Sequence, residues 1–585
     1  MEINMGNIKK YTNERNVQIV ISLLKAHGIN RVVASPGTTN MTFIASIERD
    51  SFFKIYSSVD ERSAAYIACG LANEGEPVVL SCTGATASRN YMPGLTEAYY
   101  RKLPILAITS HRGTSRIGHL LDQQIDRRQL PNDIAIESVT IPFVKDVDDE
   151  NFCVIEANKA ILALKHHGGG PVHINMFSAY SLDFSVKELA PVRVIQRYEF
   201  SEDLPKIPDG KIAIFVGSHL PFSDEEIQSI DNFCGEHDAV VFCDHTSNYT
   251  GKYGIHYTLV CGQKEYFSET RRVSLLIHIG EISGALYGHW IDSKEVWRIN
   301  QDGALRNTFG KLTKVFEMPE HIFFEHYTKS RNQLSTYLND CKAEYQKVLS
   351  SIPELPFGNI WIAQQLHDKL PENSVFHMGI LNSLRSWNFF EISNTIRTSC
   401  NVGGFGIDGG LSTLIGASLN HPDKLHLGVF GDLAFFYDMN VMGNRHVGNN
   451  IRIMLINNGR GTEFRNYDHP CYPLGEEADL FIAAAGHYGN QSPDLVRHYA
   501  EDLGYQYIPV RGKEDFLQVY SEFINPQITD SSMIMEVFTE SALESEALEM
   551  VLNCVKPTIK KQISKSIKRV IGDNYVNSLK NKFRN

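Results

Sequence analysis

Three observations predict an α/β protein built as three consecutive doubly wound, mainly parallel-sheet domains followed by a basic C-terminal helical tail. The first is length: 585 residues are too many for one hydrophobic core. The second is alternation, because short apolar runs take turns with segments of helical period in three successive blocks. The third is a pair of apolar runs, Leu425–Phe430 and Ile451–Ile456, that end in Gly431-Asp432 and Asn457-Asn458. Runs of this kind fit buried parallel strands, each opening into a loop at its carboxyl end.

In the first block, residues 14–28 have apolar positions at helical spacing and close on Gly28. Arg31 to Ala34 then reads as a strand entering Ser35-Pro36-Gly37. Strands are predicted over 52–60, 77–84 and 104–110, with helices over 61–75 and 87–102, and a last strand near Pro171 to Asn175. The first domain thus covers 1–182, and a polar, proline-punctuated stretch, 183–210, reads as a linker. The central α/β domain, 211–328, has strands near 211–219, 239–245, 275–281 and 296–300. His219, His245 and His278 follow or sit in these strands as hydrogen-bonded structural histidines. A linker helix, 329–355, leads to the third domain, 356–542, and the tail occupies 543–585.

Composition is that of a globular protein, 43% hydrophobic and 21% charged. No apolar run is long enough to span a bilayer and the N-terminal stretch has no signal-peptide character, which predicts a cytoplasmic protein. The ten cysteines are scattered without a CxxC pair, so neither a disulfide framework nor a zinc site is expected from them. A net charge of −12 argues against nucleic-acid binding, yet Val555 to Asn585 alone carries about +8. In that tail Ile559, Ile563, Ile567 and Ile571 recur every four residues among lysines, a basic amphipathic helix. It suits an anionic membrane surface, a partner, or packing within the protein's own oligomer.

The two polar pairs of the third domain carry the chemistry. Asp432 and Asn458 fall at neighbouring strand ends, where open α/β sheets bind ligands. Read alone, the pairs are equally two ligand-free turns. If their oxygens converge, they suit Mg²⁺, which is commonly held by one or two side chains together with carbonyls, waters and substrate phosphates. Gly-Asp and Asn-Asn at this spacing, with Gly406-Ile407-Asp408-Gly409 upstream, resemble the fingerprint of thiamine diphosphate enzymes. Thr83-Gly84-Ala85-Thr86 and Gly170 to Asn175 match the same family in order. So does Ser58-Val59-Asp60-Glu61-Arg62 with Ala68 to Ala72.

The resemblance implies thiamine diphosphate and Mg²⁺ as cofactors, with a metal set of Asp432, Asn458 and the main-chain carbonyl of Arg460. Gly406, Gly431, Leu433 and Thr83 would contact the cofactor, and Ile407 would be the wedge that bends it. Glu61 would be the activating carboxyl group on the aminopyrimidine, although an acidic residue at a helix start is equally a dipole arrangement. Family members place the pyrimidine and diphosphate domains of one site on different subunits, which implies at least a homodimer.

Within the family the chain resembles the 2-succinyl-5-enolpyruvyl-6-hydroxy-3-cyclohexene-1-carboxylate (SEPHCHC) synthases. The likeness lies in Ser412-Thr413, Phe435, Asp438-Met439-Asn440, Gly461 and Phe464 around the motifs above. Arg112 and Gln124 fall where those enzymes contact substrate. It departs at two substrate arginines, replaced by Thr38-Thr39 and by Val402, and neither Thr nor Val replaces a charge-assisted bond to a carboxylate. Arg112, Arg385 and Arg397 remain as candidates for one carboxylate. The expected activity is decarboxylation of a 2-oxo acid with transfer of the acyl unit to an acceptor other than that of the synthases. The alternatives are a simple decarboxylase releasing an aldehyde and a catalytically idle homologue.

Overall fold

The computed structural model describes residues 10–200, 203–330, 332–486 and 492–555. The isoleucine-spaced basic segment of the tail lies outside them. The chain forms two compact units, one of Met1–Glu202 with Asp302–Glu317 and one of Asp203–Gln301 with Met318–Asn585.

The first unit holds six parallel strands: β1 (Arg31–Ala34), β2 (Lys54–Ser57), β3 (Val78–Cys82), β4 (Ile105–His111), β5 (Glu137–Ile141) and β6 (Val172–Phe177). Their order is β2-β1-β3-β4-β6-β5. One face packs on Val17, Ile21 and Leu24 of the helix Arg15–Ala26 and on Ala157 and Ile161 of the helix Val147–Ala163. The other packs on Ala64, Ala65 and Ala68 of the helix Glu61–Leu71 and on Leu95 and Ala98 of the helix Met92–Arg101. These last two helices touch through small residues: a Cβ on Gly94 would stand 2.5 Å from the Ala65 Cβ. Covering both faces explains why the inner strands β3, β4 and β6 are buried along their whole length, whereas β2 and β5 at the sheet edges are not.

Two details differ from the sequence reading of this unit. The helix expected over 87–102 is two helices, Ala85–Asn90 and Met92–Arg101, because Pro93 opens the second where its missing N–H costs nothing. The stretch read as a linker contains β7 (Gln196–Glu199), which finds its partner only much later in the chain.

The second unit begins with β8 (Ile212–Val216), β9 (Val240–Cys243), β10 (Gly254–His256), β11 (Arg272–Ile279) and β12 (Asp292–Ile299), parallel in the order β10-β9-β8-β11-β12. The chain then returns to the first unit as β13 (Leu312–Glu317), which pairs in parallel with β7. Leu312 and Val315 are buried there with Ile195, against Ile155 and Leu162.

The last sheet, in the second unit, comprises β14 (Val375–Met378), β15 (Arg397–Ser399), β16 (His426–Gly431), β17 (Ile451–Asn457), β18 (Gln506–Val510) and β19 (Met533–Phe538). Its order, β15-β14-β16-β17-β19-β18, reproduces that of the first sheet strand for strand. The three parallel sheets are those the alternating pattern predicts. Among the described residues no helix is long and apolar enough to cross a membrane, and all ten cysteines are free.

Candidate active site

Parallel pairing sets Gly431 of β16 opposite Ile456 of β17, so the residues that follow, Asp432 and Asn457-Asn458, leave the sheet side by side. Asp432 starts the helix Asp432–Asp438 and is buried. Its Oδ1 accepts from Leu433 N at 2.7 Å and its Oδ2 from Gly459 N at 2.5 Å. Gly459 adopts φ +77°, a left-handed conformation that glycine takes without strain and that turns the Asn458–Arg460 loop back over β16. Asn458 Oδ1 accepts from Arg460 N at 3.4 Å, while its Nδ2 donates to Glu544 Oε1 at the same distance. Glu544, on the helix Ser541–Leu552, also accepts from Thr539 Oγ1 at 2.5 Å.

Two carboxyl groups are therefore packed into one buried corner. Burial pushes Asp432 up to about 6, against the opposing pull of the backbone N–H groups around it. Burial likewise pushes Glu544 up to about 7, and the charge of Asp432 adds to the effect. Among the described residues neither makes an ion pair, since the Arg460 guanidinium is held by Asp479 at 2.8 Å. A corner of this kind lacks a countercharge. The available donors, a carboxylate, an amide oxygen and the Arg460 carbonyl, are all hard oxygens, so the residues present fit Mg²⁺ and, through it, a diphosphate.

The neighbouring loop keeps room beside this corner. Gly403, Gly404 and Gly431 have no atom within 4 Å of an added Cβ. Gly406 is exposed and Ile407 half-buried. Asp438 caps the helix Gly410–Asn420 by accepting from Ser412 N and Oγ, both at 2.6 Å. A cleft of about 620 Å³ is lined by Tyr287, Asn382, Arg385, Glu463, Asp468 and Glu544. Arg385 is not free to bind a substrate carboxylate there, because its guanidinium is paired with Glu463. Arg397 lies instead at a second cleft, of about 980 Å³, with His245 and His256. Val402 is buried.

In the first unit, Glu61 opens the helix Glu61–Leu71, whose N-cap Asp60 accepts from Arg62 N at 3.1 Å. Glu61 is half-buried, and its Oε2 accepts from Asn90 Nδ2 at 3.0 Å. Among the described residues Glu61 therefore lacks the full enclosure that the resemblance calls for. Val59, Tyr66 and Ile67 expose apolar surface on the same segment.

The strand ends of the first sheet lock together. Gly84 N donates to Thr39 Oγ1 at 3.1 Å, so Thr39 is buried and committed, whereas Thr38 is exposed. A Cβ on Gly84 would sit 2.9 Å from the Ser110 carbonyl, and one on Gly37 would collide with the Thr83 methyl group. Arg112 bonds the Tyr180 hydroxyl and faces Asp122 at 3.5 Å. Gln124 leaves its Oε1 buried without a partner.

Sequence reasoning missed Arg127. It is buried, donates to the Ser110 carbonyl at 2.8 Å and Asn175 Oδ1 at 3.0 Å, and leaves Nε and Nη1 without acceptors. Burial lowers its guanidinium to about 10. Its only sequence signal is a place between two other charged residues, Asp126 and Arg128, which reads as a solvated run. Glu544 was missed for the same reason, as one acid among several in a helix. Two of the histidines are hydrogen-bonded as expected: His245 Nε2 lies 3.1 Å and 3.0 Å from the Trp387 and Phe390 carbonyls, and His219 Nδ1 lies 2.6 Å from the Leu220 carbonyl while its ring stacks on Phe222. His278 is buried.

Residues 15–130 match the family described as thiamine pyrophosphate enzyme, N-terminal TPP binding domain, thiamine pyrophosphate being another name for the diphosphate. The chain is 30% identical over 570 residues to the SEPHCHC synthase of Bacteroides thetaiotaomicron, covering 92% of this chain and 98% of that one. It is 30% identical over 558 residues to the synthase of Phocaeicola vulgatus, with the same coverage of 92% and 98%. To that of Flavobacterium psychrophilum it is 28% identical over 561 residues, covering 91% and 97%.

Proposed function

The chain belongs to the family of thiamine diphosphate-dependent enzymes that includes the SEPHCHC synthases, and from that premise we propose that it decarboxylates a 2-oxo acid and transfers the acyl unit to an acceptor other than isochorismate. The observation that carries the reading is the corner formed by buried Asp432 and Glu544 with half-buried Asn458, a set of hard oxygens with no countercharge among the described residues.

When bound, thiamine diphosphate supplies the electron sink for the bonding pair left by carbon dioxide. In this reading Asp432, Asn458 and the Arg460 carbonyl would hold Mg²⁺, Leu433 and Gly431 would line the diphosphate, and Ile407 would support the cofactor. Glu61 would hydrogen-bond the aminopyrimidine, with Asn90 Nδ2 donating to its Oε2. A second copy of the chain encloses Glu61, covering Val59, Tyr66 and Ile67 and excluding water from the carboxyl group. Gln124, with its orphaned Oε1, and Arg112 would contact the substrate, and Thr38 offers a hydroxyl.

The choice of acceptor follows from charge. Isochorismate and 2-oxoglutarate are both polyanions, and here Thr38-Thr39 and Val402 stand where synthases carry arginines. Arg385 is already neutralised by Glu463, and Arg112 is shared with Asp122. A smaller or less charged acceptor suits these residues.

The test is to incubate the protein, thiamine diphosphate and Mg²⁺ with a panel of 2-oxo acids, alone, with isochorismate and with a set of smaller aldehyde and enone acceptors, and to follow carbon dioxide and product mass. Carbon dioxide from one oxo acid, with adduct formed only by another acceptor, is the expected result. A mass-matched isochorismate adduct would overturn the acceptor assignment and make the chain a true menaquinone-pathway synthase. Aldehyde release with every acceptor tried would favour the simple decarboxylase.

A further inference from the structure

Away from this site, the first unit gathers three metal-ligating side chains from two distant parts of the chain. His166 Nε2 lies 2.6 Å from Glu317 Oε2, and His167 Nε2 lies 2.5 Å from Glu317 Oε1. The two imidazoles stack with centroids 3.7 Å apart, so both ring nitrogens point the same way, at one carboxylate. All three ligand atoms fall within 4.8 Å of one another. We propose that His166, His167 and Glu317 form a binding site for one zinc-class divalent cation, which ties the returning strand β13 to the body of the first unit.

Backbone conformation supports a built site. His167 is held at φ 51°, ψ 41°, a left-handed conformation that a residue with a Cβ rarely adopts, and Gly168, Gly169 and Gly170 follow with positive φ. That turn is what brings consecutive side chains to one point, since neighbours in an extended or helical segment point apart. Glu317 is the last residue of β13 and is mostly buried, so its carboxylate is fixed. Arg197 Nε, which donates to the Gly303 carbonyl, stands 4.0 Å from Glu317 Oε2 and orients it from behind.

Two imidazoles and a carboxylate are a recurring three-ligand set for Zn²⁺, with water in the fourth position. The side chain of His167 is 67% exposed, which leaves that position open to solvent. Tetrahedral ligands about 2.1 Å from a metal lie about 3.4 Å apart, so small rotations that open the present contacts admit the ion. Imidazole ligands select against Mg²⁺, which prefers oxygen. The site is therefore distinct in chemistry from the all-oxygen corner at Asp432.

The experiment uses full-length, metal-stripped protein in excess Mg²⁺ with thiamine diphosphate, titrated with Zn²⁺ in competition with a chromophoric chelator. One Zn²⁺ per chain is expected. His167→Gly and Glu317→Gln should each weaken binding at least about tenfold. His167→Gly is informative because it also relieves the left-handed residue, so loss of binding in that variant cannot be put down to strain. Co²⁺ substitution should give ligand-field bands without a thiolate charge-transfer band, separating this site from the free cysteines. No uptake, undiminished uptake in both variants, or a thiolate band would each overturn the assignment.

Discussion

The first and third sheets have the same six-strand order, yet their carboxyl ends bury opposite charges. At the first, Arg127 is buried with only a carbonyl and an amide oxygen as partners. At the third, Asp432 and Glu544 are buried with no cation beside them among the described residues. Topology thus supplies two equivalent crevices, and side chains decide what each accepts. The third suits a metal and the phosphates it carries, and the first suits groups that accept hydrogen bonds.

The sharpest way to break this contrast is Asp432→Ala. It should abolish binding of Mg²⁺ and thiamine diphosphate, read by fluorescence titration, and with it the thermal stabilisation that a ligand confers on the state it binds. Glu61→Ala should act differently, lowering turnover by about 10²- to 10⁴-fold while cofactor affinity stays within a few-fold. An Asp432→Ala protein that still binds the cofactor, or an active Glu61→Ala enzyme, would remove the division of labour between the two sheets.

Acid sensitivity should be common to both. His173 on β6, bonded to Thr109 and Ser138, and His377 on β14, bonded to Ser399, are held neutral by burial, at about 3 and about 4. A depressed histidine leaves the unfolded chain binding more protons, so stability is full above about 6.5 and falls as pH drops toward the folded value. Between pH 7 and pH 5 each should remove about 2 kcal/mol, and His173→Gln or His377→Gln should shrink that difference in urea unfolding. Next, Gly94→Ala should destabilise the first sheet's helix pair by about 1–3 kcal/mol in the same assay, by forcing Ala65 away. The smallest effect is expected from Asn90→Ala, which removes the bond to Glu61 and should cost about 0.5–1.5 kcal/mol in transition-state stabilisation, a few-fold in rate.

Much of this was legible in the sequence because buried parallel strands announce themselves as unbroken apolar runs. Their ends were legible too, since Gly431-Asp432 and Asn457-Asn458 interrupt those runs abruptly. Strands β7 and β13 were not, because each is paired with a partner more than a hundred residues away, and β5 was not, because as an edge strand of sequence ESVTI it carries no apolar run. Arg127 and Glu544 escaped for a related reason: the sequence writes a buried charge and a solvated one with the same letter. The commitment of Arg385 to Glu463 was equally invisible, since the pair is separated by 78 positions.

The first unit is interrupted by Asp203–Gln301 and is finished only by Asp302–Glu317. During synthesis, β7 must wait for β13 to leave the ribosome, a delay of about 5–20 s for a hundred residues at ordinary elongation rates. Through that interval Ile195 lacks Leu312 and Val315, its native cover. A nascent chain paused within the insertion would present an unpaired strand edge beside an apolar patch, the combination that chaperones bind and that seeds misassembly.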